Sequence, residues 1–127
     1  MKKSDRDIVY AKFNGLCAYT GKPLGDDWQV DHIMPQYRYR KGLVQGEASH
    51  IDNLFPAISI INHYKRDHNL ESFRLYMSLF HKRLAKLPKK TLVDKTKKRI
   101  VYMNTVADLF GITPNKPFSG KFYFETL

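Results

Sequence analysis

The chain has 127 residues, of which 43% are hydrophobic and 27% are charged, with 22 Lys and Arg against 12 Asp and Glu. These proportions exclude a disordered chain, and the length favours a single domain over residues 1–127. The formal net charge of +10 points to a polyanionic partner. Nucleic acid ranks ahead of an anionic membrane surface, because the basic residues are spread over several segments and not confined to one amphipathic helix.

Cysteine content and hydropathy narrow the expected location. Cys17 is the one cysteine, which excludes an intrachain disulfide and suits a reducing compartment. The basic start lacks the apolar segment of a secretory signal, and no apolar run approaches membrane-spanning length. We therefore expect a cytoplasmic protein with no membrane partner. The sequence leaves the oligomeric state open, a homodimer included.

The first half of the chain predicts short alternating elements. Apolar spacing, turn residues and prolines indicate a helix over 5–14, a turn-rich stretch over 17–27, strands at 28–31 and 54–55, a polar loop between the strands, and a helix over 57–65.

The second half predicts longer helices. Asn69 can cap a helix that keeps its apolar period as far as Leu87, where Pro88 stops it. Another helix runs from Asp94 to a closing Gly111. Residues 122–124 read as a terminal strand or an aromatic plug. The predicted fold class is α+β.

Polar residues suited to phosphodiester chemistry gather around the two predicted strands. Asp31 and His32 end the first strand, and Asn53 and Asn62 lie next to the second. Hydrolysis of a phosphodiester needs an activated water and stabilisation of charge on the phosphate. An imidazole is a suitable base near neutral pH, and carboxylate or amide oxygens suit Mg²⁺ or Mn²⁺ better than Zn²⁺. Neighbouring residues of a regular strand face opposite sides, so Asp31 and His32 can share one site only if the strand bends or ends there.

Three segments resemble the HNH endonucleases of the ββα-metal, or His-Me finger, group. They are CAYTG at 17–21, VDHIMP at 30–35 and DNLFPAISIINHYK at 52–65. The family reads approximately C-x-Y-C-G, V-D-H-I-x-P and D-N-L-x-P-A-C-x-x-C-N-x-x-K. The likeness is strongest to small stand-alone members from phages and mobile elements. It implies a ββα-metal core over about 14–66, with a helical extension over about 69–127.

The resemblance also implies a role for each matching residue. His32 corresponds to the histidine that activates water, and Asn53 to the asparagine that braces the loop and helps to hold that histidine. Asp31 and Asn62 correspond to the ligands of a catalytic Mg²⁺ or Mn²⁺. Two further positions match residues that contact phosphate or the edge of the site, His63 and Lys65.

The chain departs from the family at its structural zinc site. Thr20, Ile58 and Ile61 stand where many relatives carry cysteine, and a lone Cys17 thiol cannot make a tetrahedral zinc site. We therefore expect no structural zinc, with Cys17 packed in an apolar cluster.

Two basic clusters are candidate DNA contacts. One interleaves cations with tyrosines after the first strand, at Arg38, Arg40 and Lys41; the other begins the last long helix, at Lys95, Lys97 and Lys98. Either cluster could instead be a solvated surface.

The resemblance and the net charge together predict a metal-dependent HNH endonuclease that acts on DNA, most readily on double-stranded DNA. Two alternatives stay open: a basic DNA-binding module whose catalytic site has decayed, and an RNase or toxin on the same fold.

Overall fold

A computed structural model describes residues 1–34 and 51–127. The architecture is mixed helix and strand, which confirms the predicted α+β class. In chain order the elements are α1 (Lys3–Ala11), β1 (Gln29–His32), a 3-10 turn (Ile51–Asn53), β2 (Leu54–Ala57), α2 (Ser59–Lys65), α3 (Leu70–Ser78), α4 (Phe80–Ala85), α5 (Asp94–Phe110) and a second 3-10 turn (Tyr123–Thr126). Among the described residues, no helix has the length and apolar character needed to cross a bilayer.

The described chain divides into two compact units. The first unit comprises Met1–Phe73 together with Phe122–Leu127, and the second comprises Arg74–Lys121. The end of the chain thus belongs with the first unit, whereas the sequence assigned it to a helical extension.

The first unit contains a two-stranded antiparallel ribbon. β1 pairs with β2 so that Asp31 lies opposite Phe55 and His32 opposite Leu54. Proline has no N–H to donate to a strand pair, so Pro56 contributes its carbonyl, which accepts a hydrogen bond from the Ala18 N–H at 2.9 Å. This bond ties the turn after α1 to β2. Helix α2 follows β2 after one residue, which gives a β-β-α order.

An aromatic cluster fills the core of the first unit around Tyr19. The ring of Tyr19 meets Phe73 and Phe122 edge to face, at centroid distances of 5.6 and 5.3 Å, and Phe55 at 6.0 Å. The aromatic residues at 122–124 therefore pack into the core as a plug. They lead into and begin the 3-10 turn Tyr123–Thr126, and they do not form a strand. Cys17 is fully buried in this unit, as predicted.

Helices α4 and α5 pack together in the second unit. Met103 and Val106 give α5 a buried side. The helix ends at Gly111, whose φ of 73° lies in the left-handed region that glycine adopts without strain, as the sequence predicted.

The single helix predicted from Asn69 to Leu87 is two helices in the structure. Asn69 does cap the first of them, since its Oδ1 accepts a hydrogen bond from the Ser72 N–H at 2.8 Å. The break falls at Leu79, whose N–H bonds the Tyr76 carbonyl in a tighter, 3-10-like turn. One such turn barely disturbs the apolar period, so the sequence pattern passes through it.

Candidate functional site

His32 is the last residue of β1, and the backbone after it is held from β2. The Asn53 carbonyl accepts from the Ile33 N–H at 2.9 Å. The Asn53 side chain then brackets Met34, because Oδ1 accepts from the Met34 N–H at 2.9 Å and Nδ2 donates to the Met34 carbonyl at 3.1 Å. This amide clamp fixes the chain immediately beyond the imidazole. Asn53 thus contacts the loop that the resemblance assigns it to brace.

A lysine from outside the predicted site supports this clamp. Lys12 lies just after α1, and its Nζ donates to the carbonyls of Ile51 and Leu54 at 2.5 and 2.7 Å. These carbonyls flank the turn that carries Asn53. Burial lowers the pKa of Lys12, while the charge of Asp52 acts in the opposite direction.

Asp31 lies in a buried polar cluster with Tyr19 and Lys65. Lys65 Nζ is 3.1 Å from Asp31 Oδ1 and also donates to the His32 carbonyl at 3.1 Å. The Tyr19 hydroxyl donates a hydrogen bond to Asp31 Oδ2. The exposed fraction is 3% for Asp31 and 0% for Lys65. Each carboxylate oxygen of Asp31 therefore already has a donor.

Helix α2 brings two of its side chains to β1. Asn62 and Lys65 are three residues apart and share a helix face. Asn62 Nδ2 donates to Gln29 Oε1 at 2.8 Å, and Lys65 reaches Asp31. Gln29 and Asp31 are two apart on β1, so they share the ribbon face that α2 covers. β1 keeps its register through His32 and ends there, which is one of the two conditions under which Asp31 and His32 could serve one site.

Burial governs the electrostatics of the cluster. It raises the pKa of the Asp31 carboxyl, while the Lys65 charge and the hydrogen bonds from Tyr19 and Lys65 oppose that shift. Burial and then the negative charge of Asp31 raise the pKa of the Tyr19 hydroxyl. For His32, burial and then the Lys65 charge lower the pKa of the imidazole. The imidazole is therefore neutral at neutral pH, which is the form that can accept a proton.

The predicted metal ligands do not fit a divalent ion in this arrangement. The Asp31 carboxylate is covered by an ammonium group and a hydroxyl, and its side chain is buried. Asn62 keeps an amide oxygen for a ligand, because its contact with Gln29 is made through Nδ2. Across residues 1–34 and 51–127, no three His, Cys, Asp or Glu side chains group so that they could hold a metal.

The predicted DNA contacts fall into different environments. His63, Lys95, Lys97 and Lys98 are exposed, whereas Lys65 is buried and cannot meet a phosphate while it stays against Asp31. The loop cluster of Arg38, Arg40 and Lys41 lies outside the described residues. An open surface cleft of about 920 Å³ in the second unit is lined by apolar residues and lysines: Lys89, Lys90, Thr91, Leu92, Lys97, Ile100 and Val101.

Comparison of the chain with protein-family models, with curated proteins and with solved structures found no match.

The sequence gives no role to two of the groups that shape the site, Tyr19 and Lys12. It predicts a phosphate contact for Lys65, which the structure pairs with Asp31. One sequence feature does indicate where Lys65 lies. Lys65 and Asn62 are three residues apart on a predicted helix, so their side chains should face the same neighbouring element.

Proposed function

We propose that this protein is an HNH endonuclease with a ββα-metal core, and that it hydrolyses phosphodiester bonds in DNA. The observation that carries the proposal is the setting of His32. His32 is the last residue of β1, and its imidazole has a lowered pKa. Two residues further on, the Asn53 side chain bonds both the N–H and the carbonyl of Met34. The β-β-α order and the net charge of +10 add support.

In this proposal His32 is the general base. The neutral imidazole accepts a proton from a water molecule while the water oxygen attacks phosphorus and the bond to the leaving oxygen breaks. Asn53 keeps the imidazole in place through the Met34 peptide. Accurate placement matters, because a shift of about 1 Å in a reacting group can lower a rate about 10²-fold.

We predict that cleavage requires Mg²⁺ or Mn²⁺. We assign no reaction step to the metal, because the Asp31 carboxylate pairs with Lys65. If the ion binds, the oxygens of Asp31 and Asn62 are the groups that would hold it. It would supply positive charge to the phosphate.

The buried pair also favours a second candidate, a basic DNA-binding module without catalysis. A carboxylate neutralised by lysine is what a site that has lost its metal would contain. The two candidates differ in turnover and not in affinity, because both use the same basic surface.

Cleavage assays on supercoiled plasmid, single-stranded DNA and RNA, each with Mg²⁺, Mn²⁺ or EDTA, separate these candidates. We expect the wild type to cut DNA with either metal. His32→Ala should lower the single-turnover rate by about 10²–10⁴-fold and keep DNA affinity, because the base acts on water and not on the bound duplex. His68→Ala is the matched control, since it removes an imidazole that contacts Ser72 on the approach to α3, and it should cut normally.

Each failure has its own meaning. Wild-type cleavage by His32→Ala would refute the assignment of the base. A wild type that binds DNA and cuts none of the substrates would favour the binding module, and preferential cutting of RNA would favour the RNase alternative.

A further inference from the structure

The second unit carries the whole net charge of the protein. Positions 74–121 hold 12 of the 22 Lys and Arg but only 2 of the 12 Asp and Glu, which gives this unit a net charge of +10. The first unit keeps 10 of each and is neutral by the same count. On the proposed function, on which this inference rests, the attraction for DNA therefore comes mainly from the second unit.

The open cleft of the second unit combines this charge with apolar surface. Three of its seven lining residues are lysines, at positions 89, 90 and 97, and three are aliphatic, at positions 92, 100 and 101. None of the seven is acidic, and Asp94, which begins α5 close by in sequence, does not line the cleft. Leu92 is 94% exposed and Val101 is 66% exposed. Aliphatic side chains left in water among lysines fit a partner that is both anionic and apolar.

The backbone that presents these groups is hydrogen-bonded on both sides of Leu92. The Thr91 hydroxyl accepts from the Val93 N–H at 3.1 Å, and the Val93 carbonyl accepts from the Lys97 N–H at 2.9 Å in the first turn of α5. Lys97 and Val101 are four residues apart on α5, so they share a helix face. Positive and aliphatic groups are therefore offered side by side.

A fully paired duplex meets only part of this requirement. Its phosphates face outwards, but its bases are stacked inside, so an aliphatic side chain reaches only their edges in the grooves. An unpaired nucleotide offers a phosphate and the apolar face of its base together. A membrane with anionic lipids also offers both kinds of group, but it meets protruding surfaces, whereas Ile100 and Val101 line a cleft.

We propose that the cleft of the second unit binds an unpaired nucleotide, with its lysines on the phosphates and its aliphatic side chains against the base. The preferred substrate of the nuclease is then DNA that contains unpaired nucleotides, such as mismatched, branched or single-stranded DNA. Fully paired DNA binds to the same unit through charge alone.

The first experiment separates the apolar contribution from the charge. Fluorescence anisotropy in EDTA compares a duplex that has a central stretch of mismatches with a fully paired duplex of the same length, so both carry the same number of phosphates. The wild type should bind the mismatched duplex about 10-fold more tightly, because covering two aliphatic side chains with a base contributes about that factor.

The variants assign this preference to the cleft. Leu92→Ser combined with Val101→Thr should abolish the preference and keep the salt slope, because no charge is lost and both positions are exposed. Leu75→Ser is the matched control, since it removes a leucine that is 68% exposed in the same unit but does not line the cleft. Lys89→Gln combined with Lys90→Gln should instead weaken the binding of both duplexes and make the slope shallower.

Several results would overturn the proposal. Equal affinity of the wild type for the two duplexes would do so, and so would a preference that survives in the Leu92 and Val101 double variant or is lost equally in Leu75→Ser. Binding to phosphatidylserine vesicles that depends on Leu92, without a preference between the duplexes, would assign the cleft to a membrane surface instead.

The second experiment uses the wild type and locates the contact directly. Saturating mismatched duplex should protect Lys89 and Lys97 from an amine-reactive label read by mass spectrometry. Lys22, which is exposed in the neutral first unit, should be labelled as in the free protein. Unchanged labelling of Lys89 and Lys97, or equal protection of Lys22, would contradict a nucleotide in the cleft.

Both experiments measure binding without cleavage, so they stand apart from the proposed nuclease activity. A protein that prefers mismatched DNA through the cleft but cuts no substrate would refute the nuclease proposal alone. A protein that cuts DNA but binds paired and mismatched duplexes equally would refute the role of the cleft alone.

Discussion

In the first unit Lys65 is fully buried against Asp31, whereas in the second unit Lys95, Lys97 and Lys98 lie exposed along α5. The buried Lys65 ammonium acts across a 3.1 Å contact and holds the Asp31 carboxylate in position. The exposed charges act through a field that salt screens over about 10 Å at 0.1 M. Lysine thus positions a neighbouring side chain in the first unit. In the second unit, on our proposal, lysine attracts a polyanion.

The sharpest way to break this comparison is to remove one lysine from each environment. Lys65→Met should lower the free energy of unfolding by about 3–5 kcal/mol in EDTA, because it leaves Asp31 buried without its counter-charge. Lys97→Met should change it by no more than about 0.5 kcal/mol. Urea denaturation of both variants makes the measurement. Similar losses in the two variants would show that burial does not distinguish the lysines.

A smaller effect should come from the hydroxyl that completes the cluster. Tyr19→Phe keeps the aromatic packing and removes the donor to Asp31, so it should lower the free energy of unfolding by about 1–3 kcal/mol. Tyr10→Phe, at an exposed position, is the control. Combined with Lys65→Met, the loss should depart from additivity, because both partners act on one carboxylate. Strict additivity would argue against a coupled cluster.

The exposed lysines should affect DNA affinity and leave folding unchanged. Log affinity should fall linearly with log salt, with a slope near −0.9 per phosphate neutralised on duplex DNA. Glutamate at positions 95, 97 and 98 should make that slope shallower, while saturating DNA at low salt should restore the cutting rate. Fluorescence anisotropy followed by single-turnover cleavage measures both quantities.

The loop cluster gives the matched contrast to that experiment. Glutamate in place of Arg38, Arg40 and Lys41 should reduce cutting even at saturating DNA, because we expect that loop to align the scissile phosphate. If neither triple variant alters the salt slope, neither cluster contacts DNA.

The sequence alone predicted the features that depend on short segments. The first strand, the Asn69 cap and the closing Gly111 each follow from a few neighbouring residues, and the structure contains all three, with the strand predicted at 28–31 found at Gln29–His32. The α+β class follows from the order of such segments. Local propensity and hydrophobic period are enough for these features, because the contacts that produce them lie within one turn or one strand.

Only the tertiary structure decided how the charged residues pair. Lys65 meets Asp31 across 34 positions of sequence, and Tyr19 meets it across 12. Lys12 reaches carbonyls about 40 positions away, at Ile51 and Leu54. A motif names residues that gather at a site, but it does not say which donor takes which oxygen. That choice is set by the packing of α2 and the aromatic core against the ribbon, which forces buried polar groups to satisfy one another.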